Sequence, residues 1–183
     1  MVDDSAVTQS GQGWKMPFMT EQRDYDFFEA TAEEVVPMEF QGVEEVDGVE
    51  AYKFVQDVEP TVVDEREIPR DVAGLDGDGD VVGDETFSIV RTYWIEPVSG
   101  SPIDISEDHH RTVVVDGEEV LTLLSGELRF DDATRAAAIE STDQARTVLP
   151  LLHTTLPIGA LVVGIGFIGV AVVLIVTGRR AEN

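Results

Sequence analysis

"MEFQGVEEVDGVEAYKFVQDV", Met38 to Val58, is the stretch that decides the fold class. It consists of two β-prone runs around Asp47-Gly48, a dipeptide suited to the positive φ angles of a tight hairpin turn. The same logic returns twice. "TFSIVRTYWIEPVSGSPIDI" turns at Pro97 to Pro102, and "RTVVVDGEEVLTLLSGELRF" turns at Asp116-Gly117. We therefore expect six or so strands in an antiparallel meander, with Val58 to Glu85 as a long, largely irregular connection. The period then changes. "DDATRAAAIESTDQARTVL" opens on Asp131 or Asp132 as the N-cap and continues in good helix formers, so it predicts a helix that ends or kinks near Pro150. No repeat at solenoid or propeller spacing is present.

Period 2 sets which residues share a face of this sheet. Phe87, Ile89, Arg91, Tyr93 and Ile95 line one side of their strand, and Val90 and Trp94 the other. In the last strand, Val120, Leu124, Leu128 and Phe130 fall together, with Leu121 and Leu123 opposite. Both sides of the sheet are thus apolar. One side packs on the helix. The other needs a layer of loops, an association partner or an apolar ligand, and in the last case Trp94, Val90, Leu121 and Leu123 are the candidate binding residues.

Charge is distributed unevenly along the chain. The 183 residues include 37 acidic and 12 basic ones, a net charge of −25. A surface this acidic repels nucleic acid, which is bound by neutralising phosphate with Lys and Arg; it favours cations, basic partners and solubility. From Thr154 to Gly178 there is no charged residue, and Ile158 to Val176 is wholly apolar or glycine. Nineteen residues in a helix span about 28 Å, close to the roughly 30 Å of a bilayer's hydrocarbon core. The expectation is a transmembrane helix over 158–177.

The implied layout is an acidic disordered N-terminus (1–15), a β-rich domain with its helix (16–149), a membrane-proximal joint (150–157), the span, and a short tail (178–183). Ala160 and Gly164 form a small-xxx-small pair in the span. Gly159, Gly166 and Gly169 add small surface, so helix pairing and a homo-oligomer are open to it. Arg179 and Arg180 place the tail in the cytoplasm and the domain outside the membrane. The first fifteen residues lack the basic and apolar regions of a signal peptide. Either an upstream segment supplies export, or the protein is tail-anchored and faces the cytoplasm.

Catalytic signals are lacking. With no cysteine there is no disulfide, thiolate nucleophile or cysteine-held metal. The adjacent His109 and His110 would point to opposite faces of a strand and read as surface residues. Metalloprotease, nucleophile-elbow and phosphate-loop motifs do not occur, so the expectation is a non-enzyme without a cofactor. "GLDGDGDVVGDE", Gly74 to Glu85, offers Asp76, Asp78, Asp80 and Asp84 at calcium-loop spacing. It has Val81 and Phe87 where such a loop requires Gly and Glu, and so reads as a connection.

Several longer stretches carry a family likeness. "MPFMTEQRDYDFFEATAEEVVPMEF", "VDGVEAYKF" and "RTYWIEPVSGSPI", followed by a helix and an apolar segment, resemble the actinobacterial envelope family labelled PorA. The likeness runs from about Met16 to Val176. Its most specific pieces are Tyr25-Asp26, Val46-Asp47-Gly48 with Tyr52 and Phe54, and Trp94 with Glu96-Pro97 and Gly100. The resemblance implies a membrane-anchored cell-envelope protein that supports envelope assembly by binding a lipid, a lipoglycan precursor or a membrane-protein partner, although family members are typically longer, with an N-terminal membrane segment. The single-pass layout with the domain outside follows from the apolar segment and the arginines. It also implies, as the alternative, a channel. A membrane barrel needs many strands with lipid-facing alternation, so a pore would have to come from oligomerisation of the apolar helix, which no polar residue lines. "YWIEPVSGSPI" is also similar to the half-barrel lipoprotein carriers of bacterial envelopes, which favours lipid among the possible ligands.

Overall fold

The computed structural model describes residues 11–150, 156–159 and 161–168. It falls into two units, residues 1–142 and 143–183. The first unit is a six-stranded antiparallel meander in sequence order, followed by the start of a helix. The strands are β1 (Tyr25–Glu29), β2 (Glu34–Val46), β3 (Val49–Pro69), β4 (Asp80–Glu96), β5 (Ser101–Val115) and β6 (Glu118–Arg129), and the helix α1 is Asp132–Pro150. Asp47-Gly48 and Asp116-Gly117 make the turns expected of them, all four residues having positive φ. The N-cap of α1 is Asp131, whose Oδ1 accepts the Thr134 N–H at 2.7 Å.

The strand count agrees with the sequence reading, but the strands are partly different ones. Residues 101–115 form one strand, where two had been expected, and β1 supplies the sixth. The connection predicted over Val58 to Glu85 shrinks to residues 70–79. Two features hid these long strands. Pro60 falls where the β3–β4 ladder skips from Val58 to Thr61, so its missing N–H costs no pairing. The run Asp64 to Glu67 is exposed throughout, so its charges fit a strand as well as a loop. Asp80 and Asp84 consequently lie in β4, four residues or about 13 Å apart along an extended chain, and not together in a loop.

The sheet curls back over itself. β2 gives its first five residues to β1 and, from Glu39 onward, pairs with β3. Although β1 is hydrogen-bonded only to β2 among the strands, Phe27 lies edge-on to Tyr93 of β4 and Tyr25 edge-on to Phe54 of β3, each with centroids 5.9 Å apart. The β1–β2 hairpin is therefore the roof over the face that carries Phe54, Tyr93 and Ile95, and Met16 and Met38 complete that core. The N-terminal segment closes one end. The N–H groups of Met16, Met19 and Thr20 donate to the carbonyls of Gly100, Val98 and Pro97 at 2.8–3.1 Å. Gly100 is required there, because it has φ +68° and a Cβ would lie 2.3 Å from the Met16 carbonyl oxygen. Gln12 already pairs with Phe27, inside the segment expected to be disordered. Residues 1–10 lie outside the described residues.

A buried polar cluster ties the roof down. The Arg91 Nη1 donates to Glu29 of β1 at 2.8 Å and to Gln56 of β3 at 2.9 Å, and its Nε to Glu107 of β5 at 2.5 Å. Gln56 is wholly buried and donates to the carbonyls of Val36 and Phe27, where the β2–β3 ladder has ended. His109, expected at the surface, is partly buried and hydrogen-bonded to Glu107 at 3.0 Å. His110 pairs instead with Glu119 at 3.4 Å. At the far end of the sheet, Glu85 is fully buried and ion-paired to both Arg66 and Arg111.

In the second unit, residues 156–159 and 161–168 are helical and almost all their side chains are exposed. Among the described residues no helix is long and apolar enough to cross a membrane. Half of the span predicted over 158–177, residues 160 and 169–177 (Ala160 and Gly169 included), lies outside them, and so do Arg179 and Arg180. Gly159, Gly164 and Gly166 each have open space where a Cβ would stand.

Candidate functional site

Opposite the roofed face, the sheet carries a polar cavity of about 290 Å³ at the end nearest α1. Local sequence explains its parts. The Asp47-Gly48 turn returns β3 antiparallel to β2, which brings Glu44 of β2 close to Lys53. The β3–β4–β5 register then sets Trp94 between Lys53 and Asp104. The Trp94 Nε1 donates to Glu44 Oε2 at 2.7 Å, and the Lys53 ammonium donates to Glu44 Oε1 at 3.0 Å. These two hydrogen bonds, that from the indole first, hold the Glu44 carboxyl below the usual carboxylate range. The Lys53 ammonium and the Arg129 guanidinium also lie over the indole, 5.5 and 5.2 Å from its centroid.

The helix supplies the remaining wall. Its first turn places Arg135 against the hairpin, donating to Asp47 at 2.6 Å and to Asp132 at 2.7 Å. Asp104 is almost fully buried and accepts from Arg129 at 3.0 Å, with Arg135 3.8 Å away. Beneath these charges Ile139 of α1 packs with Trp94 on Val49, Ala51 and Ile103. An indole thus backs a cleft lined by four carboxylates (Glu44, Glu45, Asp47, Asp104) and two guanidiniums (Arg129, Arg135). Every one of those groups except Glu45 has a polar partner given above.

Of the four residues predicted to bind ligand, the structure brings only Trp94 to this cavity. Val90 is exposed in a second cleft of about 240 Å³, beside Asp57 and Asp108. Leu121 is a correction: it stands opposite Val113, on the face that holds Ile89 and Tyr93 and away from Trp94. The reason is the bulge at Leu123, which breaks the period-2 alternation between Leu124 and Leu121 that had assigned it. Leu123 is itself a bulged, exposed residue. Sequence reasoning missed Glu44, Asp104, Arg129 and Arg135, because cross-strand register and helix docking bring them together. The one available signal was the hairpin dipeptide, which sets Lys53 against the β2 strand. Among the described residues no group of three or more His, Asp or Glu side chains is placed to hold a metal.

These features define a curled β-meander domain with a polar, tryptophan-backed cleft. The chain belongs to the PorA family: the family model described as Porin PorA matches residues 1–173. It is similar to a Porin PorA of Corynebacterium resistens, 24% identical across 96% of this chain and 58% of the relative. It is also similar to a Porin PorA of Corynebacterium amycolatum, 25% identical across 64% of this chain and 37% of the relative. This chain therefore spans about half the length of the curated relatives it matches.

Proposed function

We propose that this PorA-family protein is a non-enzymatic component of the cell envelope, anchored by its C-terminal apolar segment, whose β domain binds the sugar part of a lipoglycan precursor in the Trp94 cleft. The observation that carries the reading is the mixed lining of that cleft. A phosphate would face four carboxylates, and a bare cation would face two guanidiniums. A neutral hydroxyl donates to the first and accepts from the second, so a polyol uses both. The indole offers apolar contact area to the ring carbons. Charged walls make a headgroup the better occupant than an acyl chain, which replaces the apolar groove expected from sequence. The uncharged run from Thr154 to Gly178 supports the anchor, and Arg179 with Arg180 supports a cytoplasmic tail.

A second reading draws on the relatives, both of which bear the name porin. The six strands form an open sheet with β1 and β6 at its ends, so a pore built on this domain would take strands or helices from several copies. One experiment separates the two. In the full chain with Trp14→Phe, Trp94 is the sole tryptophan. A synthetic glycosyl diacylglycerol in micelles should change its fluorescence, whereas the same lipid without sugar should not, and Asp104→Asn should weaken the response. No sugar-dependent signal, together with single-channel conductance in planar bilayers, would sink the sugar reading in favour of the channel.

A further inference from the structure

We infer that β6 is a docking edge for β6 of a second copy of this chain, paired antiparallel about a two-fold axis at Gly126. The two ends of the sheet are treated differently. β1 is five residues long and its outer side is taken by Gln12, which donates to Asp26 and accepts from Phe28. β6 is twelve residues long, and among the described residues no strand pairs with its outer side. An open edge of that length is a template for strand addition. The bulges at Val120 and Leu123 disrupt its first half, which leaves Leu124 to Arg129 as the regular part. That part carries Leu124 and Leu128, 45% and 55% exposed, on one face of the strand.

The sequence of this segment complements itself. With Gly126 on the axis, Leu124 faces Leu128 of the second copy, and Ser125 faces Glu127 of the second copy. The Leu124–Leu128 pair is made twice by symmetry, as an isologous contact requires. Gly126 has no side chain to obstruct the axis. Moving the register by one pair, so that Glu127 faces its own copy, would oppose like charges and carry each leucine off its partner. The contact is small, and both chains are strongly acidic, so association is weak in dilute solution and strengthens with salt as charge repulsion is screened. It is independent of the Trp94 cleft, which uses Arg129 at the strand's end on the opposite face.

The chain contains no cysteine, so the pairing can be trapped with unique thiols. Full-length Leu124→Cys and Leu128→Cys proteins, carrying different tags, would be oxidised gently in detergent or in vesicles, separately and mixed. Directly opposed residues in an antiparallel pair have Cα atoms about 4.5–5.5 Å apart, within disulfide range, whereas Leu124 and its own counterpart are about 13 Å apart. The mixture should give at least about tenfold more linked dimer than either protein alone, with the yield rising with salt. Sedimentation gives an independent check, because Leu124→Glu with Leu128→Glu should shift the wild-type average mass to that of the monomer while leaving the melting temperature unmoved. Equal cross-linking in all three samples, absence of a mixed product at any salt, or a wild type that stays monomeric at high protein concentration and high salt would each overturn the inference.

Discussion

Replacing Arg91 by methionine should be one of the costliest single changes in this protein. The guanidinium is 13% exposed and is shared by Glu29, 5% exposed, and Glu107, 21% exposed. Its removal leaves two carboxylates facing each other in a largely dry space, and frees the Gln56 oxygen as well. Breaking a buried ion pair from one side costs about 3–5 kcal/mol. For a domain of this size, 1 kcal/mol moves the melting temperature by about 2–4 °C, so the loss should be on the order of 10 °C. Full-length protein in detergent, followed by circular dichroism, gives the number. The deficit should shrink as pH falls from 7 towards 4, because Glu107 loses the Arg91 charge that lowers its pKa, keeps the burial that raises it, and is then protonated. Glu29→Gln with Glu107→Gln, added to Arg91→Met, should recover most of the loss, since replacing all charged members of a buried cluster is often neutral. A single variant within about 1 kcal/mol of wild type at pH 7 would refute the idea that Arg91 clamps the roof.

The remaining expectations can be stated briefly. Burial pushes the Glu107 carboxyl up, but the Arg91 charge and the His109 hydrogen bond outweigh it and leave its pKa lowered. Its contribution to stability is thus present above about pH 4.3 and lost as the pH falls through the lower folded value; wild-type melts should show this loss, and Glu107→Gln should flatten it. Gly100→Ala should destabilise the fold by several times the usual surface effect of about 0.5 kcal/mol and release residues 16–20 to proteolysis, because both the positive φ and the Met16 carbonyl oppose a Cβ. Calcium should leave the melting temperature unmoved, and Asp78→Ala with Asp80→Ala should change nothing; calcium-dependent stabilisation lost in that double variant would contradict the placement of Asp80 and Asp84 in β4. A cysteine at Asn183 should resist an impermeant thiol reagent in intact cells while one at Ser101 reacts, and the reverse pattern would establish the tail-anchored orientation.

How much of this was legible from sequence differs by element. Local chemistry was readable. Asp47-Gly48 and Asp116-Gly117 announced their turns, and Asp131 its cap, because each acts within four residues. The long strands were obscured for the opposite reason. Thr61 to Pro69 carries two prolines nearby and four consecutive charges, and only its pairing with β4 and the bulges that accommodate Pro60 make it a strand. Leu121 shows the same limit at one position. Its face depends on the bulge at Leu123 relative to β5, and nothing in "EEVLTLLSGELR" marks it.

The candidate site was the least legible part, for a related reason. Trp94 stood out as a rare aromatic, and the reading from its face alone was an apolar groove. What surrounds it comes from five separate segments: Glu44 from β2, Lys53 from β3, Asp104 from β5, Arg129 at the end of β6 and Arg135 one turn into α1. In a chain with 37 carboxylates, no acidic residue is conspicuous. The 12 basic residues are the scarce currency, and their placement is informative. Arg66, Arg91, Arg111, Arg129 and Arg135 each hold a carboxylate on the sheet or its roof, and Asp104, Glu85 and Glu29 are buried only because of them. An acidic protein that commits its few cations to buried anions makes those anions rigid. At Asp104 this rigidity holds a carboxylate and two guanidiniums at fixed positions beside an indole, which is the preorganisation that hydroxyl recognition requires.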